Sequence, residues 1–177
     1  PDEATGAPVV ELNPEANGPA WFVEEVVVAG TPTEEMNALR NIDTRTTAVI
    51  EHKYLEQIGT PGNGDSEIWL EEYSPNYLKY RYTSEEGGLC IFSEIFYDKG
   101  WVAKIDGKEQ DYLRANYVLR AIVLPAGEHT VEWSFRAPHF ALIEGVTLCF
   151  SLAIILGVAI AAVATLRKAK REKQSLR

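Results

Sequence analysis

The sequence predicts a mainly β protein: an antiparallel β-sandwich with one short helix, followed by a single C-terminal transmembrane α-helix. Apolar and polar residues alternate in evenly spaced runs between residues 21 and 140, with turn-forming pairs between them. That pattern argues for antiparallel sheets rather than a parallel βαβ arrangement. Residues 145–166 contain no charged side chain and are mostly Leu, Ile, Val, Ala and Phe. As a helix this stretch reaches roughly 33 Å, against a hydrocarbon core of roughly 30 Å. Charge is divided just as sharply: residues 1–144 hold 11 Lys and Arg against 25 Asp and Glu, a net of −14, whereas 167–177 hold six Lys and Arg and one Glu.

Residues 1–20, with four Pro and two Gly, read as an extended lead-in. Trp21 to Ala29 is apolar and β-branched and predicts a first strand. Thr31-Pro32-Thr33-Glu34-Glu35 opens the short helix: the Thr31 hydroxyl caps, Pro32 suits the first turn, and both acids favour the positive end of the dipole. Met36, Leu39 and Ile42 are expected to form its apolar stripe. After Ala48-Val49-Ile50 and a Gly59–Ser66 loop, Leu78, Tyr80 and Tyr82 alternate with Lys79 and Arg81 as in a half-buried strand. Leu89–Tyr97 is a longer, mostly apolar run, expected to be central and covered on both faces. Trp101, Ala103 and Ile105 lead into Asp106-Gly107, a type I′ hairpin signal. Leu119–Leu124 is a further strand, turned back by Pro125-Ala126-Gly127-Glu128 so that Val131, Trp133 and Phe135 face inward.

No catalytic signature is present: the chain has no Gly-rich phosphate loop and no Gly-x-Ser-x-Gly elbow. His52, His129 and His139 are scattered, whereas metal sites need convergent partners, so neither a metal nor a cofactor is expected. Glu71-Glu72 and Glu85-Glu86 are adjacent pairs, which on strands point to opposite faces and make poor acid–base couples. Cys90 lies in a β run and Cys149 in the span, so no disulfide is expected. The acidity of residues 1–144 disfavours nucleic acid as a partner.

The most informative stretch is Ser93-Glu94-Ile95-Phe96-Tyr97-Asp98-Lys99-Gly100-Trp101, followed by Ile105-Asp106-Gly107-Lys108, Arg114-Ala115-Asn116-Tyr117 and Pro125-Ala126-Gly127. This ordered set resembles the C-terminal region of YfhO-family bacterial membrane proteins, as do Ala20-Trp21-Phe22-Val23 and Asp43-Thr44-Arg45-Thr46-Thr47. Lys99 departs from it, standing where the family often has a shorter Pro-Gly turn. The resemblance implies a multi-spanning protein like the lipid-linked-sugar-dependent glycosyltransferases that act on cell-surface polymers or lipids. It also implies that the catalytic carboxylates lie in early extracytoplasmic loops outside this chain, so the chain by itself is not expected to be an enzyme.

Read from the residues alone, Trp101 and Phe96 are core candidates and Gly100 a turn residue. Glu94, Asp98, Arg114, Asn116 and Arg120 are expected to form one polar cluster at an edge of the sandwich. It serves either as a structural hydrogen-bond and ion-pair network or as a contact for a glycan, a lipid-linked sugar or the membrane part of the parent. The basic tail assigns residues 167–177 to the cytoplasm of a bacterial inner membrane, with 1–144 outside and 21–140 as the extracytoplasmic sandwich. Gly145, Cys149, Ala153, Gly157, Ala161 and Thr165 recur every four residues and are small. Each step advances about 400° around the helix, and the resulting stripe suits close packing against upstream transmembrane helices of the parent chain. The expected function is therefore an extracytoplasmic accessory domain plus last membrane helix. The competing readings are a single-span ectodomain that binds carbohydrate or protein without enzymatic activity, and a purely structural cap.

Overall fold

The computed structural model describes residues 13, 16–59, 62 and 64–175; most of the expected lead-in and part of the Gly59–Ser66 loop fall outside them. A β-rich unit ends at Phe135 and a helical unit begins at Arg136. In chain order the β-rich unit contains β1 (Ala20–Phe22), β2 (Glu25–Ala29), α1 (Pro32–Ala38), β3 (Thr47–Glu51), a 3-10 turn (His52–Tyr54), α2 (Leu55–Ile58), β4 (Ser66–Ser74) and β5 (Tyr77–Ser84). It continues with β6 (Gly88–Ile95), β7 (Trp101–Ile105), β8 (Lys108–Gln110), β9 (Leu113–Ala115), β10 (Leu119–Leu124) and β11 (Gly127–Phe135).

The strands form two sheets, ordered β1-β6-β10-β9-β3-β2 and β4-β5-β11-β7-β8. All pairings among the described residues are antiparallel except β2 with β3, which are parallel and joined through α1. The expected single strand Trp21–Ala29 is two strands, because the chain turns a corner at Val23-Glu24. Those strands occupy opposite edges of the six-stranded sheet. Three Cα steps from Phe22 to Glu25 span at most about 11 Å, whereas six strands laid flat at about 4.8 Å spacing would separate the edges by about 24 Å. The sheet is therefore rolled until its edges nearly meet. At the corner, Val23 N donates to Leu89 O on β6 at 3.0 Å and Glu24 N donates to Thr46 O, just before β3, at 2.8 Å. The enclosed side packs as one cluster that includes Val23, Ile50, Leu89 and Ile91, plugged by Ile58 of α2. Ala48, Ala115 and Ala121 keep that interior narrow enough for so tight a roll.

The outer side of β6 and β10 carries Cys90, Phe92, Ile122 and Leu124 into a second core, where Leu78, Tyr80, Tyr82, Val131 and Trp133 of the five-stranded sheet meet them. The Phe92 ring stands edge-on to both Tyr80 (4.9 Å, 78°) and Trp133 (5.2 Å, 71°), an arrangement the ring quadrupoles favour. β6 thus feeds Leu89 and Ile91 to one core and Cys90 and Phe92 to the other, the physical reason for the unbroken apolar stretch Leu89–Phe92 within it. Asp106 and Gly107 have φ of 49° and 79°, the two left-handed residues of the expected hairpin turn. β4 adds a strand ahead of Leu78, with Ile68 and Leu70 half-buried and Trp69 exposed.

α1 starts as expected: the Thr31 hydroxyl accepts from Glu34 N at 3.2 Å, and the Glu34 carboxylate reaches back to Gly30 N at 2.9 Å. Its buried side is not the expected apolar stripe. Met36 is 42 % exposed and the fully buried residue is Glu35, which points at β9 and the turn after it rather than at solvent.

The helical unit contains α3, Phe140–Ser175. Its apolar stretch, Phe140–Thr165, is about 39 Å long by helical rise and has no buried residue, so it is long and apolar enough to cross a bilayer. Hydroxyls within it satisfy themselves: Thr147 donates to Ile143 O and Ser151 to Thr147 O, each at 2.8 Å, and Thr165 donates to Ala161 O. Such back-bonding removes free polar groups from hydrocarbon.

Candidate functional site

The sequence places Arg114, Asn116, Arg120, Glu94 and Asp98 in one polar cluster, and the structure divides them. Arg114 and Arg120 face each other across the β9–β10 pair, yet each has its own partners. Arg114 Nη2 pairs with Glu51 and lies 3.1 Å from Glu35 Oε2, while its Nη1 donates to Tyr117 O. Glu35 Oε1 accepts from Tyr117 N at 2.7 Å; its Oε2 meets Arg114 as an ion pair outside hydrogen-bonding angles. Hydrogen bonds from Lys53 and then Arg114 hold the Glu51 carboxyl below its ordinary range. Asn116, at φ 48°, exchanges two bonds with Val49: its Oδ1 accepts from Val49 N and its own N donates to Val49 O, both at 2.8 Å. A short polar side chain suits that left-handed position. Helix α1, strand β3 and the β9–β10 turn are therefore tied together by a buried carboxylate, a guanidinium and a side-chain amide. Glu35 is the member that sequence reasoning missed. Two acids in a helix's first turn both read as dipole partners, and only the tertiary fold distinguishes Glu34, which caps, from Glu35, which goes inside.

Arg120 is 3 % exposed and bridges the sheets. Its guanidinium lies 3.9 Å from the Trp101 ring centroid and 5.2 Å from that of Trp133. Nε donates to Ile95 O at 3.0 Å, and Nη2 is 4.0 Å from Glu94. Nη1 and Trp133 Nε1 are buried without a hydrogen-bond partner. Burial lowers the Arg120 pKa, but an arginine stays charged at neutral pH even so. Asp98 is exposed in the β6–β7 connection and makes no ion pair with either arginine among the described residues. Trp101 and Phe96, expected in the core, are half-buried, and Gly100 adopts φ 96°. On α3, Ala153, Gly157, Ala161 and Thr165 are exposed, and a Cβ at Gly157 would meet nothing within 4 Å.

A third arrangement links the β7–β8 turn to the turn between β10 and β11. Asp106 Oδ1 accepts from Thr130 N at 3.0 Å, and its Oδ2 is 2.6 Å from His129 Nδ1. His129 Nε2 is 3.0 Å from Ala126 O, so both ring nitrogens face acceptors and the doubly protonated imidazole fits best. Its pKa is raised accordingly, first by Asp106 and then by the Ala126 carbonyl, while that of Asp106 is lowered by Thr130 N and then by His129. No His, Cys, Asp or Glu group that could hold a metal occurs among the described residues.

Residues 65–147 match the family described as bacterial membrane protein YfhO, a segment running from the start of β4 into the apolar helix. Neither a search of curated proteins nor one of solved structures finds a match.

Two outcomes are expected. Glu35→Ala leaves Tyr117 N without its acceptor and Arg114 with one acid, and should cost roughly 3–5 kcal/mol in chemical denaturation, with Glu35→Gln intermediate. A loss no larger than that of Glu34→Ala would contradict the buried role. The raised His129 pKa makes its contribution full below about pH 6.5, the unfolded value, and lost as pH rises through the folded value. The melting temperature should fall between pH 6 and 8 in the natural chain and fall less in Asp106→Asn; equal pH profiles would show that the pair contributes nothing.

Proposed function

Because residues 65–147 match the family described as bacterial membrane protein YfhO, we propose that the chain is a piece of such a protein and forms the extracytoplasmic accessory domain and last membrane helix of a multi-spanning protein resembling lipid-linked-sugar-dependent glycosyltransferases. The observation that carries this is the family match running from the β-rich unit into an apolar helix long enough to span. The basic residues 167–177 that follow favour a cytoplasmic end, which leaves the acidic residues 1–144 outside. The β-rich unit acts on the outer face by shaping the acceptor side of the parent, while sugar transfer belongs to carboxylates elsewhere in it. Glu94, Arg114, Asn116 and Arg120 serve that role indirectly, with the two arginines holding the scaffold, while Asp98 stays exposed at the surface.

In lipid, helices associate by close packing rather than by a hydrophobic driving force, so the face bearing Ala153, Gly157, Ala161 and Thr165 is where a neighbouring helix approaches. In the full-length parent, Gly157→Leu or Ala161→Leu should lower thermal stability more than Ala159→Leu or Ala162→Leu. Equal tolerance at the four positions would favour the alternative, a lone anchor carrying a carbohydrate- or protein-binding domain.

A further inference from the structure

A cleft of about 430 Å³ opens between the β6–β7 connection and the segment joining β8 to β9; its walls include Phe96, Asp98, Trp101, Glu109, Asp111 and Tyr112. Its size falls within the range of small-molecule sites, about 300–1,000 Å³. The aromatic walls are held in place before any ligand arrives. The Tyr112 hydroxyl donates to Tyr97 O at 2.7 Å, and its ring packs tilted on Phe96 at 5.5 Å and edge-on to Trp133 at 5.1 Å. Trp101 is backed by the Arg120 guanidinium and by Phe135, 5.4 Å away. The guanidinium behind Trp101 is the one with the buried, unpartnered Nη1.

The polar complement restricts the ligand. Ionised carboxylates only accept hydrogen bonds, so Asp98, Glu109 and Asp111 call for a ligand rich in donors. No lysine or arginine lines the cleft, which disfavours phosphates and uronic acids. The acids do not converge on a point that could hold a metal ion; they share the cleft lining with Phe96, Trp101 and Tyr112 as separate acceptors. Hydroxyl donors arrayed round the edge of a ring with apolar C–H faces meet both demands. We propose that this cleft binds an uncharged saccharide, stacked on Trp101 and Tyr112 with its hydroxyls donating to Asp98 and Asp111. The proposal deepens the accessory-domain reading by naming what the outer face holds, and rests on it only for biological purpose.

The test uses the full chain in lipid nanodiscs, free of sugar-headed detergent, titrated with maltotriose, chitotriose and glucuronic acid and followed by tryptophan fluorescence and saturation-transfer NMR. Saturable binding of at least one neutral trisaccharide is expected, with none of glucuronic acid. Trp101→Ala should weaken it at least tenfold. Asp111→Ala, at an exposed position that cannot unfold the core, should weaken it at least threefold, and Trp69→Ala on β4 should leave it unchanged. Absence of neutral-sugar binding by the folded chain, or unchanged affinity in Asp111→Ala, overturns the proposal. Nanodiscs expose both faces of the bilayer, so this result does not depend on which side the β-rich unit occupies or on any transferase activity of the parent.

Discussion

A chain can leave one edge of a six-stranded sheet and enter the other within two residues only if the sheet is rolled, and the corner at Val23-Glu24 imposes that roll. Much of the β-rich unit follows from it. Rolling creates an interior that accepts alanines at Ala48, Ala115 and Ala121, and an outer surface on β6 and β10 that must be covered by a second sheet. It also explains the single parallel pair among the described residues. β2 and β3 run the same way, so the chain between them has to return along the sheet, and α1 makes that return.

The two arginines occupy the places where this architecture would otherwise be weakest. Arg114 fixes α1 to the sheet through Glu35, and Arg120 lies between the sheets against two indoles. Burying a cation is costly, and breaking a buried pair leaves an uncompensated charge. Their partners thereby enforce one arrangement of the layers, which keeps the Trp101 and Tyr112 walls of the cleft in fixed positions.

Period-two alternation made Leu78, Tyr80 and Tyr82, and likewise Val131 and Trp133, legible as inward-facing, because one side of each strand meets a core. The Asp106-Gly107 turn was legible for a local reason, since only a few residues tolerate positive φ at both positions. What escaped depends on distant contacts. Nothing local in Trp21–Ala29 signals that β1 pairs with β6 and β2 with β3, or that Glu35 goes inside while Met36 stays out. The candidate polar residues stand out in the sequence, but which of them meet is set by which faces the layers cover. The aromatic cleft draws its walls from segments brought together only by the fold.

Which side of the membrane holds the β-rich unit decides whether that unit can work at the outer face. Alkaline phosphatase, active only outside the cytoplasm, fused after Glu144 and separately after Arg177 in the full-length parent reads this directly. An active enzyme is expected at the first position and an inactive one at the second, because an excess of Lys and Arg next to an apolar helix favours the cytoplasmic side. The reverse pattern would place the acidic unit in the cytoplasm and contradict the proposal that it works at the outer face.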